Sequence, residues 1–280
     1  MKLQLFGLSA IALTMALATN SCGKGGDSAS SADSLISSLE IDMNIKTASR
    51  SYSISNTDPA TEFFLTISAN VQWPEKIGDY DIKPLQDTIV SLAFPVAKTD
   101  KVEDAIIAYL ADAKSYELGD QIKDVDQVPS TDENYNDFYN SVKVQMLEVN
   151  DQLATFAVAV SQFMGGAHPN SAVSPFTYDL SRAAVIDYSF LLKPGSEQQL
   201  VGPLSESICA TLNLSETELN ESLLNGFSIS KTVYILDGLI YFHYNPYDIL
   251  PYSFGAIDAP VQPYAVRDLL TPEAQKLLNV

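Results

Sequence analysis

Thr232-Val233-Tyr234-Ile235-Leu236-Asp237-Gly238-Leu239-Ile240-Tyr241-Phe242-His243-Tyr244 reads as two strands folded back about a two-residue turn. Asp-Gly suits a type I′ turn, in which both central residues need positive φ. Pairing across it sets Ile235 opposite Ile240 and Val233 opposite Phe242, one continuous apolar face, with Thr232, Tyr234, Tyr241 and His243 on the other. The apolar pattern extends the first strand back to Phe227. Residues 142–149 and 152–162 read as another hairpin about Asn150-Asp151, and residues 41–54 and 63–73 alternate as strands joined at Asn56-Thr57-Asp58-Pro59.

Helices lie between these strands. Pro84 stands where a first helical turn tolerates proline, and Leu85, Ile89 and Leu92 follow at helical spacing. Thr99 is placed to cap a second helix, whose apolar stripe is Val102, Ala105, Ile106, Tyr109, Leu110 and Ala113. Leu204, Ile208 and Leu212 recur every four residues, and residues 215–224 read as a further helix. Hairpins with interspersed helices imply an α+β fold of antiparallel sheets with packed helices, not an alternating parallel α/β fold. Residues 117–137 are polar and acidic and contain Pro129, which sets an expected boundary between two α+β subdomains, 39–130 and 131–280.

At the N-terminus, Lys2, an uncharged apolar run over residues 5–17 and Thr19-Asn20-Ser21-Cys22 resemble a bacterial lipoprotein leader. Residues 1–21 are then a signal peptide, with Cys22 acylated and holding the protein to a membrane on the exported side. The run is shorter than the roughly 20 residues of a spanning helix. A plain secretory signal with an incidental cysteine is the alternative. Residues 22–38 form the anchor and tether, and the glycine- and serine-rich stretch from Gly23 to Asp33 has a random-coil span of about 18 Å. Asp27-Ser28-Ala29 and Asp33-Ser34-Leu35 look like O-glycosylation acceptors of some Gram-negative lineages.

The chain carries 16 basic and 35 acidic residues, and loss of Lys2 with the leader brings the net charge to −20. Such a surface repels nucleic acid and anionic membrane and favours cationic partners. Beyond Cys22 only Cys209 remains, so no internal disulfide framework is available.

Two segments do not fit the regular elements. Met164-Gly165-Gly166-Ala167-His168-Pro169-Asn170 holds paired glycines and a proline that biases His168 towards extended backbone. Tyr241-Phe242-His243-Tyr244-Asn245-Pro246-Tyr247-Asp248-Ile249-Leu250-Pro251-Tyr252-Ser253-Phe254-Gly255, followed by Val261-Gln262-Pro263-Tyr264, alternates prolines with aromatics. Together, over residues 140–280, they resemble the extracellular domain of RsiV-like, lysozyme-sensing anti-sigma factors. Its hallmarks are a Gly-Gly-Ala-His-Pro turn and a Tyr-Phe-x-x-Pro-Tyr-x-Ile-x-Pro-Tyr-x-x-Gly segment. Asp187 and residues 191–195 fall where that family has a Leu-Asp-Leu-Phe-like stretch. Residues 41–130 more faintly resemble the companion domain of PdaC-type deacetylases, through Trp73-Pro74 and the helix after Pro84. The resemblance implies an α+β fold and, in one branch, recognition of lysozyme.

The chemistry of the residues separates the functional readings. A hydrolase acting on cell wall or glycan would centre on His168, with Asp187 or Ser171 as helper, because histidine can act as a base near pH 7. The spacing matches no triad. Two histidines without an HExxH-like unit provide no zinc set, and Asp124-Val125-Asp126 lacks the glycine of a calcium loop. No cofactor motif is present. The expected function is therefore non-enzymatic binding of a protein or cell-wall ligand, with His168, Tyr244, Tyr247, Tyr252 and Tyr264 as contacts. Gly165, Gly166, Pro169, Pro246, Pro251 and Gly255 would shape the segments that carry them. Tyrosines beside prolines also fill core edges, and the sequence leaves both roles open.

Overall fold

The computed structural model describes residues 39–54, 63–113, 122–124 and 138–280. Cys22, the tether, its candidate glycosylation sites and the Asn56–Pro59 turn lie outside them. Strands β1 (Ile41–Ile54) and β2 (Phe63–Ile77) pair antiparallel, as the alternation predicts. Helices α1 (Lys83–Ala93) and α2 (Val102–Ala111) follow, then the short β3 (Ile122–Asp124), which pairs with the end of β1. The 150–152 hairpin is formed by β4 (Phe138–Val149) and β5 (Leu153–Phe163), and β6 (Asn170–Asp179) and β7 (Ala184–Ile186) complete a seven-stranded sheet of order β3-β1-β2-β4-β5-β6-β7.

The expected boundary near residue 130 does not divide this sheet. β2 and β4 pair in parallel across it, Leu65 opposite Phe138 through Val71 opposite Val144. Helix α1 packs on β4 and β5 and α2 on β1 and β2, so one core spans both sides of the boundary, including Leu65, Ile67, Leu85, Ile89, Val144, Phe156 and Tyr178. The polar 117–137 stretch signals a connection, and a connection is not by itself a domain border.

Two local expectations also change. Leu92 is 40% exposed, and the buried face of α1 continues through Val90 and Ala93 instead. Thr99 does not cap the first turn of α2: Lys101 occupies the N-cap, and the Thr99 hydroxyl accepts the Lys101 N–H at 3.1 Å. The stripe itself is placed as expected, with Val102, Ala105, Ile106, Leu110 and Ala113 buried.

The second layer comprises α3 (Tyr188–Leu191), α4 (Glu197–Leu212), α5 (Glu216–Ser222), α6 (Pro272–Leu277) and a three-stranded antiparallel sheet of β8 (Val233–Leu236), β9 (Leu239–Tyr244) and β10 (Ile257–Val261), ordered β10-β9-β8. The β8–β9 register has Ile235 opposite Ile240 and Val233 opposite Phe242, with Asp237 and Gly238 at φ 49° and 73°. Val233, Ile235, Ile240 and Phe242 are buried in a second core with Leu200, Leu204 and Ile208 of α4. Strand β8 begins at Val233 and not at Phe227. Upstream of it, one backbone bond remains, His243 N–H to the Thr232 carbonyl at 2.9 Å, and side chains supply the rest: Ser230 N–H donates to the Tyr244 hydroxyl at 3.3 Å, and the Ser230 hydroxyl donates to the His243 carbonyl at 2.5 Å. Among the described residues no helix is long and apolar enough to cross a membrane.

Candidate functional site

The β5–β6 connection, residues 164–169, contains Gly165 and Gly166 at φ 92° and 108°, conformations that side chains other than glycine rarely adopt. A Cβ on Gly165 would also lie 3.4 Å from the Phe138 ring. These glycines let the loop turn and leave His168 exposed at its end.

The β9–β10 connection approaches from the second layer. Its turn is closed by Asn245 N–H to the Asp248 carboxylate at 2.7 Å, Asp248 N–H to the Asn245 carbonyl at 3.0 Å and Tyr247 N–H to the Leu250 carbonyl at 3.1 Å. Ile249 and Leu250 anchor it in the core, 1% and 2% exposed. Pro251 leads into a 3₁₀ turn, Tyr252–Phe254, which Gly255 ends at φ 71°.

Tyr247 is held at φ 72°, a left-handed conformation costing a bulky residue about 1–3 kcal/mol, and is 55% exposed. Its hydroxyl lies 3.2 Å from His168 Nε2, and the His168 ring stacks on Tyr252 with centroids 3.6 Å apart and planes 12° from parallel. Tyr247 and Tyr252 are 5.7 Å apart by centroids. His168 Nδ1 sits 3.0 Å from the Pro169 carbonyl, which only accepts, so Nδ1 carries a hydrogen. In the neutral ring, Nε2 then accepts from the Tyr247 hydroxyl. Three of the five expected contact residues thus form one surface cluster across two layers.

The other two stand apart. Tyr244 is 1% exposed on the core face of β9; its hydroxyl donates to the Ser228 carbonyl at 3.1 Å, and burial pushes the phenol up to about 12. It is a core residue, placed there by the same alternation that buries Phe242. Tyr264 is 79% exposed and lines a separate cavity of about 380 Å³ with Gln199, Pro203 and Arg267. The proposed helpers of His168 are engaged elsewhere. Asp187 caps α3, accepting the Phe190 N–H at 2.8 Å, and the Ser171 hydroxyl pairs with that of Ser161 at 2.7 Å.

Sequence reasoning missed Asn245, His243 and Asp258, which join the turn to the large sheet. The Asn245 amide takes the Val173 N–H at 2.6 Å and donates to the Val173 carbonyl at 3.0 Å, pairing the edge of β6 beyond the end of β7. His243, 2% exposed, sits between Asp258, 2.7 Å from Nδ1, and Asn245, 3.3 Å from Nε2. An asparagine ending a strand before proline was the one available signal, and it is a weak one. Tyr234 stacks on Tyr241 at 4.9 Å over this face, and burial together with the Asp258 carboxylate raises the Tyr234 phenol. Among the described residues no group of three or more His, Cys, Asp or Glu side chains is placed to hold a metal ion.

Residues 190–263 match the model of a protein family of unknown function, DUF3298. The DUF3298 match takes in α4, α5, the three-stranded sheet and the whole β9–β10 connection, with Tyr247 and Tyr252; His168 and α6 lie outside it. It is narrower than the 140–280 span of the resemblance read from sequence. Two solved DUF3298 structures have similar folds. A protein of Bacteroides fragilis NCTC 9343 superposes with a TM-score of 0.64 at 15% identity, covering 86% of this chain and 96% of its own. A protein of Pseudomonas aeruginosa PAO1 gives 0.55 at 16%, covering 84% and 96%. These DUF3298 likenesses extend to the first layer and concern the fold. No curated protein matches the sequence.

Proposed function

We propose that the protein is a lipid-anchored component of the bacterial envelope whose His168–Tyr247–Tyr252 surface binds a protein or cell-wall ligand without catalysis, with lysozyme the specific candidate. One observation carries this reading: Tyr247 is kept in a strained conformation that leaves the residue 55% exposed beside two further aromatic rings. A core role would bury that ring, and a purely structural turn would place glycine or asparagine there. Aromatic side chains on short, braced segments offer large contact area with few rotors to order on binding. The net charge of −19 complements a cationic partner such as lysozyme. The hydroxyl and carbonyl partners of His168 include no carboxylate to orient it as a base, which is why binding is preferred to hydrolysis.

Calorimetric titration of the chain from Gly23 onward with hen lysozyme, at low and at high salt, tests the proposal. Saturable heat of fixed stoichiometry at both salts, weakened at least tenfold by Tyr252→Ala with an unchanged melting temperature, is the expected result. Heat that disappears with salt, or that Tyr252→Ala leaves intact, overturns it.

A further inference from the structure

We infer that His243 is a proton-operated clamp for this surface: its charged ring holds the 245–251 turn against β6, and loss of the proton loosens that hold. The regulatory consequence rests on the reading of the aromatic cluster as a binding surface; the clamp itself does not.

The geometry fixes the hydrogens. A backbone N–H only donates and a carbonyl only accepts, so the two bonds to Val173 set the Asn245 amide with Oδ1 at the Val173 N–H and Nδ2 at its carbonyl. It is therefore an oxygen that Asn245 presents to His243 Nε2. On the opposite side of the ring, Nδ1 meets the Asp258 carboxylate. Both ring nitrogens face acceptors in a place where water has almost no access, and only the imidazolium donates to both. When the ring is neutral, the carboxylate retains the Nδ1 hydrogen, and an Nε2 lone pair is left against Asn245 Oδ1.

The other groups around the ring act through Asp258 and Asn245, and Asp258 is itself 36% exposed. From β8, Tyr234 leans on the same Asp258 carboxylate; from β9, Tyr241 stacks on Tyr234; β6 contributes the backbone of Val173 through Asn245, which does not titrate. In the turn, the Asp248 carboxylate holds the Asn245 N–H, so Asn245 is fixed from both ends. Asn245 stands two residues before Tyr247, and Val173 lies on the strand that begins two residues after His168. Slackening the Asn245–Val173 link therefore separates the two segments whose contact builds the cluster.

The test is nuclear magnetic resonance of the isotope-labelled full chain between about pH 5 and 8, the range in which histidine changes charge. The Val173 amide and the Asn245 side-chain amide are expected to move with the same midpoint as the His243 ring. Exchange of the Val173 amide, corrected for its intrinsic rate, should accelerate about tenfold at the alkaline end, the scale of one hydrogen bond from a charged group. In Asn245→Ala, Val173 no longer follows the His243 ring; in His243→Gln, the Val173 response vanishes. A Val173 amide silent through the His243 titration, or one that still responds in His243→Gln, overturns the clamp. Should His243→Gln not fold, Asn245→Ala decides: a Val173 response that persists there equally overturns it. Hen lysozyme added at each pH should bind more weakly as His243 loses its proton. Absence of lysozyme heat at every pH, with the Val173 coupling intact, removes lysozyme as ligand and leaves the clamp standing.

Discussion

The Thr177 hydroxyl accepts the backbone N–H of Ile235 at 2.7 Å, joining the large sheet to the edge strand of the small one. Thr155 completes the junction, donating to the Ile235 carbonyl at 2.7 Å and lying 2.9 Å from Thr177. Two buried hydroxyls thus take the place of a neighbouring strand for β8. Thr177→Val keeps the shape and removes the partner of a buried N–H, which costs about 1–3 kcal/mol. Chemical denaturation should show that loss with an unchanged denaturant slope. A variant as stable as the parent would mean that Ile235 is paired in some other way.

Tyr247→Asn separates stability from binding. Asparagine tolerates left-handed φ better than tyrosine, so relief of strain offsets the lost contact with His168. The variant should melt no lower than the parent while losing ligand binding. A fall of more than a few degrees in the melting temperature would assign Tyr247 to the architecture instead.

Sequence pattern carried the second layer further than the first. The Asp237-Gly238 turn fixes a register that alternation then propagates, so the pairing of Ile235 with Ile240 could be read directly. The parallel pairing of β2 with β4 could not: it is long-range, leaves no turn signature, and crosses a polar stretch that reads as a boundary. For the site, oddity picked out His168, Tyr247 and Tyr252, which the fold brings together, because glycines and prolines mark irregular backbone. It failed for Tyr244, whose position in the β9 alternation, in phase with Phe242, already assigned it to the core. Asn245 and His243 were illegible because their roles depend on Val173 and Asp258, remote partners that only the fold supplies.

Cys22→Ser tests the anchor directly. If Cys22 is acylated, the parent should partition into detergent-rich phases and carry the added mass of its acyl chains. Each buried methylene contributes about 0.8 kcal/mol to membrane attachment. The variant should lose both the mass and the partitioning. A parent that is released in soluble form, with no added mass on Cys22, would support the plain secretory alternative.

Alkaline stability should depend on the buried phenols, Tyr234 and Tyr244 among them. Burial raises Tyr244 to about 12 and raises Tyr234 as well, with Asp258 adding to the effect. A group that holds its proton more tightly when folded contributes stability that is complete below the unfolded phenol's range. That stability is lost as pH rises from about 10 through the folded value. Between pH 10 and 12 each such tyrosine should remove up to about 1.4 kcal/mol of stability per pH unit. Tyr244→Phe has no such proton to lose. It should therefore be less stable than the parent near pH 7, because the Ser228 carbonyl and Ser230 N–H lose their partner, yet decline less steeply above pH 10. Denaturation midpoints measured from pH 7 to 11.5 would show the two curves converging. Parallel curves would mean that Tyr244 ionises as readily in the folded chain as in the unfolded one.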